Sequence, residues 1–155
     1  MRVNNWDSKL QKIIKETIEK DKFQYGKNDC VTFTQKCVEA ITGKNIFNHK
    51  WKSLKDGKAL VKKLKKKDLL SAALWVGEQN NFKLIDINFA QRGDILYYKD
   101  EFDWDGTLGV CIGSQTMFNW KKGISLVLNS QCKYCWRIEW KFIIKLYMIK
   151  MIMFY

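Results

Sequence analysis

Proline is missing from this chain altogether, and histidine occurs once, at position 49. No stiff proline-rich linker or composition shift divides the 155 residues, a length that suits one domain able to bury a core without staples. The single imidazole leaves no H-E-x-x-H pattern. Gly-rich phosphate loops and EF-hand loops are missing as well, so no cofactor is implied. No run of eighteen uncharged apolar residues occurs, so no membrane span is expected. The opening residues, Met-Arg-Val-Asn-Asn-Trp-Asp, lack the apolar centre of a signal peptide. Cysteines number five, odd and irregularly spaced, which argues for reduced thiols and against a secreted disulfide framework.

Acidic residues are scarce, 16 against 28 lysines and arginines, and the resulting charge of +12 favours anionic surroundings: nucleic acid, envelope glycans or an acidic protein. The densest run, Lys62 to Lys67, reads first as a wet helix face. No nucleic-acid module accompanies it, so nucleic acid is the lesser alternative among partners. Apolar residues (46%) and aromatics (14%) exclude a disordered tail. Cys132-Lys-Tyr-Cys135 is a lone C-x-x-C without the second pair that a structural zinc needs; it reads as two cysteines on opposite faces of a strand, and no metal site is expected.

Periodicity divides the chain into helices followed by strands. Trp6, Leu10, Ile13, Ile14, Thr17 and Ile18 mark one stripe of a helix over roughly residues 5–20. A second helix begins at Cys30 and ends before Gly43. Residues 44–52 show no period and read as a loop. Ser53 caps a third helix reaching about Lys66, and Asp68 a fourth that runs through Trp75 and ends at Gly77. Short β-type runs follow: 82–85, 93–98, 107–112, 116–120, 124–128 and 134–142, several of them separated by turns at Asp105-Gly106, Gly113-Ser114 and Lys122-Gly123. Helices first and antiparallel strands afterwards predict an α+β fold.

The stretch Phe23-Gln-Tyr-Gly-Lys-Asn-Asp-Cys-Val-Thr-Phe33 organises the rest. A turn on Gly26 delivers Asn28 and Asp29 as cap residues. Phe33, Cys37, Ala40 and Ile41 then share one helix face with Cys30. A thiol among free N–H groups at the positive end of a helix dipole favours thiolate, the state of a nucleophile. The alternative is a small buried hydrophobe.

Several motifs carry a resemblance. Phe23-x-Tyr-Gly followed by Asp29-Cys30 resembles the segment that presents the nucleophile in NlpC-like, papain-type cell-wall cysteine peptidases. Arg92-Gly-Asp-Ile-Leu-Tyr97 resembles their Gly-Asp-leading strand. Thr107-Leu-Gly-Val-Cys-Ile-Gly113 resembles the next strand, which in active members starts with histidine. Over residues 4–138 the chain looks more closely still like a phage- and prophage-borne family of unknown function related to these peptidases. That likeness adds the N-terminal tryptophan helix, Thr42-Gly43, Ala90-Gln-Arg-Gly-Asp94 and Cys135-Trp-Arg-Ile138.

The resemblance implies an NlpC-type domain over residues 1–140, its Cys-bearing helix packed on an antiparallel sheet, with an apolar extension over 141–155. It casts Cys30 as nucleophile, Thr107 as the vacated base position and Asn119 as the third, orienting residue. Threonine cannot accept and return a proton near neutral pH, so the dyad is broken as written. His49 is the one imidazole left as a base, and nothing in the sequence brings it to Cys30. Asp103 and Asp105, just before Thr107, are weaker candidates acting through a water. The implied function is a virion-associated phage tail component, made in the bacterial cytoplasm, serving assembly or docking. Its partners are other tail proteins; the methionine-rich segment 142–155 either packs on its own domain or provides that docking contact. The alternative is an active enzyme cleaving peptidoglycan during genome entry.

Overall fold

The computed structural model describes residues 1–19, 22–100 and 104–139. The extension 141–155, the docking role assigned to 142–155, and Asp103 all lie outside the described residues. Four helices come first: α1 (Trp6–Glu19), α2 (Cys30–Thr42), α3 (Leu54–Lys63) and α4 (Leu69–Gln79). Strands β1 (Lys83–Ile85), β2 (Ile95–Lys99), β3 (Gly106–Cys111), β4 (Gln115–Trp120), β5 (Gly123–Leu128) and β6 (Tyr134–Arg137) follow. They form one sheet in the order β1-β6-β2-β3-β4-β5, and every neighbouring pair is antiparallel. The expected α+β class is the one adopted. No described helix is long and apolar enough to cross a membrane.

Capping sets the helix starts. Asp29, Ser53 and Asp68 each accept the N–H three residues on, and Gly43, with φ 71°, closes α2 by donating to the Glu39 carbonyl. Three expectations change. Gly77 does not end α4, which runs on to Gln79; it is glycine because a Cβ there would meet the Trp136 indole at 2.9 Å. Ile18, at the margin of the α1 stripe, is 58% exposed. Cys132 precedes β6 instead of lying in it, and it shares one apolar cluster with Cys135, Leu96, Cys111 and Phe118.

Helix α2 is the centre of the main core, packed on α1 on one side and on β3 and β4 on the other. Leu10, Phe33, Cys37, Ile41 and Val110 are all but sealed from solvent there. The second cluster occupies the other strand positions, beneath the loops around 3₁₀ turns at Ile87–Phe89 and Asn129–Gln131. Asp94 ties Arg2, ahead of α1, to Arg137 at the end of β6. Completely buried just before β2, it accepts from the Gln91 N–H (2.8 Å), from Arg2 (3.2 Å) and from Arg137 (2.9 Å). Arg2 also donates to the Ile138 carbonyl at 2.8 Å. Asp94→Ala leaves two guanidiniums without their anion and should lower stability by about 3–5 kcal/mol in urea unfolding, the usual result of halving a buried ion pair. A loss under about 1 kcal/mol would mean the cluster contributes little.

Burial holds the Cys132 thiol up to about 11 and the Cys135 thiol up to about 12, and it also raises Cys37 and Cys111, from an ordinary 9.0. The unfolded chain loses these protons near pH 9 while the fold keeps them. Their contribution is therefore complete below that value and disappears as pH rises through 11 to 12. Each such thiol makes stability fall by about 1.4 kcal/mol per pH unit in this window. Urea midpoints should drop steeply from about pH 9 upward, and Cys135→Ala should make the slope shallower by about that amount. An unchanged slope would count against a protonated core thiol.

Candidate functional site

A tight turn before α2 builds the site. Gln24 and Asn28 pair across it, and Gly26 sits at φ +73°, where a Cβ would run into the Trp51 carbonyl. The Asp29 carboxylate, 2% exposed, locks three segments together. One oxygen accepts from the Gly26 N–H (2.6 Å) and the Trp51 indole N–H (2.7 Å), and the other from the Thr32 N–H (2.8 Å). The turn, the start of α2 and the loop over 44–52 are thereby fixed relative to one another, with Cys30 at the first helical position.

Strands β3 and β4 supply the opposite wall. Cys30, Thr107 and Asn119 line one cleft of about 550 Å³, so the structure brings together three of the four expected site residues. The fourth stays away. His49 is exposed in its loop, its ring lies on Phe47 with centres 4.5 Å apart, and no imidazole lines the cleft. Asp105 occupies the turn before β3 at φ 60° and is not a cleft residue. Asn119, 3% exposed, donates to Asn28 Oδ1 at 2.9 Å, and Asn28 in turn donates to the Lys22 carbonyl. Its amide thus orients the turn that carries Cys30.

The cleft's aromatic walls escaped the sequence reading. Phe23, Tyr25, Trp51, Trp104 and Trp120 line it, with Lys121 and Lys122 at the β4–β5 turn. Trp51 could have been suspected as a large side chain set between two lysines in its loop; Trp104 lies in a stretch with no period.

The thiol's environment reverses the expectation from helix position. Burial is the largest influence on Cys30 and raises its pKa; the Thr107 hydroxyl lowers it, the neighbouring Asp29 carboxylate raises it, and the N–H groups of Leu108 and Val31 lower it. The net direction is upward from 9.0, so Cys30 is a protonated thiol near neutral pH. Thr107 is 5% exposed, and its Oγ1 makes no hydrogen bond of ordinary geometry. No group of three or more His, Cys, Asp or Glu able to hold a metal ion exists among the described residues. The arrangement can bind a group at the thiol and polarise it with two N–H groups, but among the described residues no imidazole lines the cleft to take the thiol's proton.

Iodoacetamide should therefore alkylate Cys30 slowly near neutral pH, with the rate climbing only above about pH 9. Thr107→His, which places an imidazole on the wall facing the sulfur, should raise the near-neutral rate about tenfold or more. A rate unmoved by that substitution would show that residue 107 does not serve the thiol.

No curated protein matches this chain. Residues 1–138 match a family whose description is Domain of unknown function (DUF6950). That span takes in α1 to α4, β1 to β6 and the whole Cys30 cleft. The chain belongs to this family.

Proposed function

We propose that this protein is a non-catalytic docking domain of a phage tail or virion, built on an NlpC-like, papain-type fold whose cleft has been kept while its proton acceptor has been lost. One observation carries the reading: Cys30 and Thr107 share a cleft that no imidazole lines. A peptidase of this design needs a base within hydrogen-bond reach of the sulfur. The cleft instead offers aromatic walls, features of recognition more than of proton transfer. The positive charge of the chain suits an acidic protein partner.

A second reading, a cysteine peptidase or amidase acting on peptidoglycan, rests on the place of Cys30 at the first position of α2 in the wall of the cleft, where a nucleophile would sit. The missing base would then come from a neighbouring chain.

One experiment separates the two. The protein is purified alone and together with the other tail proteins of its virion, and the release of soluble fragments from cell-wall sacculi is followed for wild type and Cys30→Ala. The docking reading expects a stable complex on gel filtration and equal, background release from both. Release by wild type that Cys30→Ala abolishes would establish the enzyme, and a protein that stays monomeric among its neighbours would end the docking reading.

A further inference from the structure

A second cavity of about 100 Å³ lies beside the cleft, between α2, α3 and α4, and its surface is almost wholly apolar. Val31, Trp51, Gly57 and Trp104 belong to the walls of both, so the two spaces are neighbours through shared side chains. An engineered apolar cavity of roughly 150 Å³ takes up benzene. This smaller one suits a single branched aliphatic side chain and is too short for an acyl chain.

Beside it, the cleft is rich in donors that lack acceptors. Trp104 Nε1 and Trp120 Nε1 are buried without hydrogen-bond partners, and both residues line the cleft. An indole N–H only donates, and the protonated Cys30 adds a weak donor. The Asp29 carboxylate is already engaged by three N–H groups, which leaves Asp100 as the other acid of the lining. Two elements that line the cleft are basic: helix α3, a wall through Leu54 and Gly57, carries exposed Lys55, Lys58, Lys62 and Lys63 against one acid, Asp56, and the β4–β5 turn adds Lys121 to the lining.

We infer that the cleft and its apolar annex form one site for an acidic peptide segment of a partner protein: a single aliphatic side chain fills the annex, main-chain carbonyls accept from the orphan donors, and flanking carboxylates meet these lysines. The inference rests on the docking reading and names the partner's chemistry.

The test uses the full chain and a capped acidic peptide of glutamates and aspartates around a central leucine, followed by tryptophan fluorescence, since three indoles line the cleft. Saturable binding is expected. A glycine in place of the leucine should weaken it about tenfold or more, the loss expected for one unburied aliphatic side chain. Exchanging the acids for lysines should abolish it. Ala73→Leu, which fills the annex from its own wall, should weaken the leucine peptide alone, and its thermal unfolding shows whether the variant is folded. Equal affinity for leucine and glycine peptides, or no saturation at millimolar concentration, would overturn the inference while leaving the docking reading standing. Cleavage of the peptide, seen by mass spectrometry, would instead overturn the docking reading.

Discussion

The Asp29 carboxylate is the constraint on which the site depends. Two oxygens, almost fully buried, hold the Gly26 turn, the first turn of α2 and the Trp51 loop at once. A buried anion is tolerated only when its lone pairs are filled by well-aimed donors, and here those donors come from three separate stretches of chain. Cys30 takes its position from this arrangement, being the next residue along. The same carboxylate also raises the thiol's pKa. Structure and reactivity are thus coupled through one side chain: the cap that places the sulfur adds to the burial that raises its pKa.

Much of the architecture could be read directly from the residues, because the signals are local. Asp29, Ser53 and Asp68 act within three residues of themselves, and Gly43 within four, so their roles need no knowledge of the fold. Gly77 shows where that stops. A helix-ending glycine and a glycine required by a distant indole look the same in sequence, and Trp136 approaches from 59 positions away. Cys132 and Cys135 were misplaced for a similar reason, since a 3₁₀ turn at Asn129–Gln131 delays the strand and removes the pleat alternation that would have separated them.

At the candidate site, the position of Cys30 was legible, but its chemistry was not. Helix-terminus arguments count only the dipole and the free N–H groups, whereas the largest influence on this thiol is burial contributed by the surrounding elements. Thr107 and Asn119 were picked out by likeness to a known pattern, and what Asn119 holds became apparent only in three dimensions, where its amide reaches Asn28. Trp120 ends β4, but Trp51 and Trp104 lie outside helices and strands, in connecting chain whose path local rules describe least well.

One ring has a consequence for how this protein can vary. The far edge of the Trp104 indole rests on Gly57 of α3, where even a methyl group would come within 2.8 Å, and that indole borders both the polar cleft and the apolar space next to it. A bulkier residue at position 57 would swing the indole like a door on its jamb, enlarging one chamber at the expense of the other. Because one indole is a wall of both, a change of residue 57 that moves it reshapes the two spaces together.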